Sequence, residues 1–221
     1  MIKKYSCIIL LFSCLACSNS QEFETGEIKT IGLIKNALEQ LNRPKTFLDA
    51  RSLIDRKKID KANIPVLFVE LETGQNGTLT PYPGQGIGQT WLGADGPTIT
   101  FAQGVLKASR GMGDDVMGGA SSMPPWDGLT EGKFFSRHVG YLSGNNQIQS
   151  VEFTCKIKKG VQEVIIVWDV PFKVTPYEET CNSSNIEINN VYFLDQNKMV
   201  RKSIQYHSPT IGYIMTERLE R

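Results

Sequence analysis

The chain has 221 residues, with 24 basic and 23 acidic side chains and a formal charge of +1 at pH 7. So even a balance excludes the basic surface of a nucleic-acid binder and the acidic tail that would seek a cationic partner. The length fits one domain or two small ones.

The first residues, Met1-Ile2-Lys3-Lys4, are followed by an apolar run from Cys7 to Ala16. That run is about ten residues, half of what a bilayer-spanning helix needs. Charge, apolar run and small residue in this order read as an export signal over residues 1–16. Leu15-Ala16-Cys17 then resembles the lipobox of bacterial lipoproteins, in which the cysteine is acylated and becomes the new N-terminus. Leu11-Phe12-Ser13-Cys14 is a second candidate box, so Cys14 is the alternative attachment site. Ser18 stands where, by resemblance to enterobacterial sorting, an aspartate would retain the protein in the inner membrane; its absence points to the outer membrane. Removing the signal takes Lys3 and Lys4 with it and leaves 22 basic against 23 acidic residues. Residues 17–26 are small and polar, a lipidated tether, and 27–221 form the single domain.

Ile28, Ile31, Ile34, Leu38 and Leu41 recur at helical spacing, and Asn42 and Pro44 stop that helix. The stripe is read as a face packed on a sheet. A second short helix is predicted from Leu53 to Lys61, closed by Asn63. After Pro65 the period changes to two. Val66–Leu71 is a strand, Gln75-Asn76-Gly77 a turn, and Ile87–Leu92 extended chain. Asp95-Gly96 is a hairpin signal between Thr90–Leu92 and Thr98–Phe101, and Gln103-Gly104 turns the chain into Val105–Ala108.

Residues 110–132 are glycine- and proline-rich and read as one long loop, a place where function or mobility concentrates. Strands resume with Phe134–Leu142 and a turn at 143–146. Val151, Phe153, Cys155 and Ile157 then alternate with polar residues, one face buried and one wet. The continuous apolar run Val164–Trp168 reads as a central strand, with Pro171 and Pro176 marking an edge or bulge at its far end. Val191–Leu194, Val200–Tyr206 and Tyr213–Leu219 close the chain. About ten strands and two helices near the N-terminus give a mainly β, α+β domain with an antiparallel sheet.

Once Cys7 and Cys14 leave with the signal and Cys17 takes lipid, Cys155 and Cys181 remain. An oxidising compartment favours a disulfide between them. The rival reading is two buried free thiols. No cysteine or histidine stands close enough to complete a metal set, so neither a metal nor a cofactor is expected.

The catalytic inventory is thin. His138 and His207 both fall on predicted strands, no Gly-x-Ser-x-Gly elbow is present, and the chain lacks a His-Glu-x-x-His helix. In the loop, Arg110-Gly111-Met112-Gly113-Asp114-Asp115 fits neither a Walker loop nor a calcium loop. A turn is one account of it; a contact with a partner or glycan through Arg110, Asp114, Asp115 and Trp126 is another. Paired-carboxylate catalysis by Asp114 and Asp115 is the third. Trp91 and Trp168 are expected in the core, while Trp126, after two prolines, is expected to expose its ring.

The segments Ile64–Val69 and Ile99–Leu106, the run Lys107–Met117, the paired Phe153-Thr154-Cys155 and Glu179-Thr180-Cys181, and Ser208-Pro209 with Gly212-Tyr213 together resemble the YjbF/GfcB lipoproteins of group 4 capsule and exopolysaccharide operons. The likeness covers most of the chain beyond the signal. It implies a sheet curled as a half-barrel or sandwich around the N-terminal helix. It also implies an outer-membrane lipoprotein, facing the periplasm, that serves as a non-enzymatic accessory of polysaccharide export or assembly. Its partners would be export-machinery proteins or glycan. It carries over no catalytic residue. A lipid or glycolipid carrier, and a polysaccharide-modifying enzyme using Asp114 and Asp115, are the competing functions.

Overall fold

A computed structural model of the chain describes residues 49–84, 88–142, 145 and 147–221. The export signal, Cys14, Cys17, the tether and the helix predicted over Ile28–Leu41 lie outside the described residues. Among the described residues two short helices come first, α1 (Ala50–Leu53) and α2 (Arg56–Ala62). Aspartate opens each: the Asp49 side chain accepts the Arg51 N–H, and Asp55 accepts the Lys58 N–H. The single helix predicted over Leu53–Lys61 is thus two pieces, because Asp55 starts a new one. Asn63, at φ 51°, ends α2 in the left-handed conformation that asparagine tolerates.

Thirteen strands follow among the described residues: β1 (Leu67–Leu71), β2 (Asn76–Pro81), β3 (Gln89–Gly93), β4 (Thr98–Ala102), β5 (Val105–Arg110), β6 (Val116–Ser121), β7 (Phe134–Leu142), β8 (Ile148–Lys159), β9 (Glu163–Val167), β10 (Val170–Asn182), β11 (Glu187–Asp195), β12 (Val200–Ser208) and β13 (Gly212–Arg218). Their order is β5-β4-β3-β2-β1-β13-β12-β11-β10-β8-β7-β6, with β9 attached to β10 off this path. The pairing is antiparallel throughout, and the sheet rolls into a nearly closed barrel. Its two ends, β5 and β6, are consecutive in sequence and meet. A Cβ added to Gly119 would lie 3.3 Å from the Lys107 carbonyl oxygen.

Alternate side chains point into the barrel. On β8, Phe153, Cys155 and Ile157 are buried while Glu152, Thr154 and Lys156 face water, as the alternation predicts. Cys155 stands directly opposite Cys181 in the β8–β10 register, and the two form the disulfide. At a sequence separation of 26, this link contributes about 3–4 kcal/mol by loop closure. The described interior is filled: Ile99, Phe153, Ile188, Tyr192 and Ile214 are all fully buried. The outer face of β1 is covered as well. Phe68 points away from Leu67 and Val69, meets the Trp168 ring edge-on at 5.6 Å, and lies 4.2 Å under the Arg51 guanidinium.

Three local expectations are corrected. Gln75-Asn76-Gly77 is not the turn; Gly74, at φ 90°, makes it, and Asn76 already opens β2. The expected loop 110–132 contains strand β6, because its glycines leave room for a second chain rather than breaking the sheet. The third concerns the apolar run Val164–Trp168. It is not a central strand: β9 pairs with β10 alone, and Val164 and Ile166 are 57 % and 62 % exposed. Strand β10 is long enough to be shared. Residues Val170–Val174 pair with β9, and Tyr177–Asn182 pair with β8. The change of partner falls at Thr175-Pro176, where proline has no N–H to give a ladder.

Candidate functional site

The turn from β5 to β6 was singled out by sequence, and its residues separate by depth. Arg110 is exposed, Asp114 is half-buried and Asp115 is buried. The Arg110 guanidinium donates to the carbonyls of Ser109, Val116 and Met117, so it bridges β5 and β6 where the two strands meet. Asp114 accepts a hydrogen bond from the Thr210 hydroxyl in the β12–β13 turn. The Asp115 carboxylate accepts from the Gly111 N–H at 2.8 Å, the Met112 N–H at 3.1 Å and the Ser109 hydroxyl at 2.9 Å. Gly111 and Gly113, both at positive φ, bend the backbone far enough to bring those N–H groups inward.

Trp126 does not expose its ring. It is 5 % exposed, packs 5.1 Å from Tyr192 and 5.4 Å from Tyr177, and donates its indole N–H to the Gln103 carbonyl at 2.8 Å. The segment after β6 folds back, and an indole that finds both aromatic neighbours and an acceptor is better placed inside than in water. Of the four candidate contact residues, Arg110 and Asp114 are therefore within reach of a partner, and Asp115 and Trp126 are not.

Ser109, Asp115 and His207 form a constellation that sequence did not bring together. His207 Nε2 lies 2.8 Å from Ser109 Oγ, which also accepts the Val116 N–H at 3.0 Å. The resemblance to a hydrolase triad ends at the direction of the protons. An ionised Asp115 only accepts, so the serine proton points to it. Ser109 Oγ then accepts from Nε2–H, and His207 is held as the Nε2–H tautomer. A nucleophilic serine needs the opposite, a histidine that takes its proton. Ser109 is 1 % exposed and His207 is fully buried, so no substrate carbonyl reaches them. Burial lowers the His207 pKa to about 4, against the pull of Asp115 and Asp114, and Nδ1 has no hydrogen-bond partner among the described residues.

A second cluster sits deeper. Glu179, fully buried, accepts from Arg137 at 2.7 and 2.9 Å, from Asn190 Nδ2 at 2.7 Å and from the Tyr192 hydroxyl at 2.7 Å. Burial opposes the charge on Arg137, yet the Glu179 carboxylate holds that charge firmly and leaves its pKa raised. Burial, and then the same carboxylate, push the Tyr192 hydroxyl up. A signal for this pair was present in the pattern. Arg137 occupies an inward phase with Phe135, Val139 and Tyr141, as Glu179 does between Tyr177 and Cys181. Cys155, Glu179 and Cys181 have ligand atoms within 4.8 Å of one another, but the disulfide and these four hydrogen bonds already engage them.

Among the described residues a polar surface cleft of about 680 Å³ lies along Gln149–Glu152 and Asn182–Ile186, and two more clefts lie toward opposite ends of β1. One, of about 430 Å³, is floored by Trp91 and Phe101 and rimmed by Gln89, Asn197, Lys198 and Arg218. The Arg218 guanidinium lies over Trp91 and pairs with Glu220. The other, of about 510 Å³, is mainly apolar and includes Leu53, Ile54, Leu71, Ile99 and Met112. His138, by contrast, lies on the outer face of β7, 3.5 Å from Glu152.

Comparison with known proteins fits this geometry. The family model described as "Group 4 capsule polysaccharide lipoprotein gfcB, YjbF" matches residues 30–219. A solved structure, the hypothetical lipoprotein YmcC from Escherichia coli (K12), superposes with a TM-score of 0.69 at 14% identity, covering 89% of this chain and 98% of its own. At that identity the likeness concerns the fold. No curated protein matches.

Proposed function

The chain belongs to the YjbF family of group 4 capsule polysaccharide lipoproteins, and from that membership we propose that it is an outer-membrane lipoprotein, anchored through Cys17, that assists polysaccharide export or assembly without catalysing a reaction. Cys14 is the alternative anchor. One observation carries the non-enzymatic part. The groups with catalytic chemistry are buried and committed to one another: Ser109 gives its proton to Asp115 and accepts from His207. Asp114 and Asp115 share no solvent-facing site that would make them an acid–base pair, since Asp115 is spent on the turn. The carrier reading is weakened by a barrel interior that, among the described residues, is occupied by side chains, which leaves open surface clefts for a ligand. What a partner or glycan can touch is the rim, including Arg110 and Asp114.

The test is a deletion strain complemented with variants. Deletion is expected to lower surface polysaccharide, and the wild-type gene and Ser109→Ala to restore it at equal protein level. Cys17→Ser is expected to fail while its domain folds. Normal polysaccharide in the deletion strain overturns the proposal, and failure of Ser109→Ala at normal protein level returns catalysis to consideration.

A further inference from the structure

Strand β9 carries apolar residues on both faces, and the described residues cover only one of them. Ile165, Val167 and Phe172 on the inner face of the β9–β10 hairpin pack on the core. On the outer face, Val164 stands opposite Lys173 and Ile166 opposite Pro171, all four exposed. Val161, in the connection before β9, is 87 % exposed. A run that is apolar on both faces normally belongs to a strand covered on both. Among the described residues no second cover lies on it, and Val164 and Ile166 stand side by side in water with the exposed Val161 just before them in the chain.

We propose that this outer face is a membrane-contact surface, lying broadside in the headgroup layer of a bilayer with anionic lipids. The inference rests on membership of a lipoprotein family and is independent of the polysaccharide role. Four observations favour a lipid surface. Lys173 stands on the same face opposite Val164, and the exposed Lys159 precedes Val161 by two residues, so their stems can run along the aliphatic group while the ammonium groups reach phosphates; Lys158 stands opposite the exposed Glu178. Glu163 and Asp169 mark the ends of β9 and its turn, so a broadside approach leaves them at the rim. The hairpin also adjoins the start of the described chain: the Arg51 guanidinium of α1 lies 5.4 Å from the Trp168 ring in the hairpin turn. The chain that leads to the lipid anchor therefore enters the domain beside this face. Finally, a patch of Val161, Val164, Ile166 and Pro171 is small beside the roughly 800 Å² that each partner buries in a stable protein interface. It suits a shallow contact that supplements an acyl anchor. The outer edge of β9 has no ladder partner in the strand order, which limits insertion to the depth where water and headgroups still satisfy backbone groups.

The experiment uses the full lipidated chain in vesicles of phosphatidylethanolamine and phosphatidylglycerol. Val164→Cys and Ile166→Cys, each labelled with an environment-sensitive fluorophore, are compared with Ile148→Cys at the far end of β8. Probes at 164 and 166 are expected to emit to the blue of the probe at 148, and to lose roughly half their intensity to headgroup-quenching lipid, as interfacial side chains do. Water-like emission at all three sites overturns the proposal. So does a blue shift with energy transfer between labelled copies and no lipid quenching, which would mean that β9 pairs with β9 of a second molecule.

Discussion

The two polar clusters inside the barrel answer the same problem, polar groups shut away from water, in different ways. Arg137 and Glu179 are both charged, and the acid is saturated: four hydrogen bonds from Arg137, Asn190 and Tyr192 converge on it. The cluster of Ser109, Asp115 and His207 keeps its histidine neutral and leaves one ring nitrogen unpaired. The first joins β7, β10 and β11 across a continuous wall. The second joins β5, the turn and β12 where the barrel closes. Each cluster leaves one buried nitrogen without a partner among the described residues, Arg137 Nε in the first and His207 Nδ1 in the second, but only the second is held neutral and so is sensitive to pH.

Removing one side of the charged pair should give the largest effect. Glu179→Ala leaves Arg137 buried and uncompensated, and about 3–5 kcal/mol of stability should be lost, read from denaturant unfolding. Arg137→Met combined with Glu179→Ala should recover much of that; a double variant no more stable than the single would break the contrast. Asp115→Ala should be next, at about 2–4 kcal/mol, because two backbone N–H groups and the Ser109 hydroxyl lose an ionised acceptor. An unchanged midpoint would show that the turn holds itself.

The smallest effect is the one that distinguishes the clusters most sharply. His207 has a folded pKa of about 4 against an ordinary 6.5. Below pH 6.5 the unfolded chain takes up a proton that the folded chain refuses, so stability is full above pH 6.5 and declines as pH falls toward 4. Between pH 7 and 5 the loss should be about 2 kcal/mol. His207→Gln should flatten that part of the profile. A wild-type profile that is flat there would place the proton in the fold after all.

Much of the barrel was legible because strand alternation and turn residues are local. The disulfide was legible for a chemical reason, two cysteines in an exported chain. What was hidden depends on distant partners. Val164–Trp168 has the composition of a central strand, and nothing local says that β8 will leave β10 at Pro176 and strand its outer face. Trp126 was placed outside because the prolines before it look like a loop, and its acceptor, Gln103, belongs to another turn. Asp114 and Asp115 read as a carboxylate pair, yet the turn through Gly111 and Gly113 brings its N–H groups onto Asp115 alone and leaves Asp114 to Thr210 of another turn.

The position of β13 sets the timing of folding. It lies between β1 and β12, at the middle of the strand order, and the Leu219 N–H closes onto the Val66 carbonyl. For a chain delivered N-terminus first, β1–β5 and β6–β12 emerge as two half-sheets that meet at the β5–β6 seam but lack the ladder that links β1 to β12. The barrel waits for residues 212–218, so the early strands remain uncommitted through nearly the whole of delivery. A protein built this way stays threadable until its last strand arrives, and then locks both halves in one step.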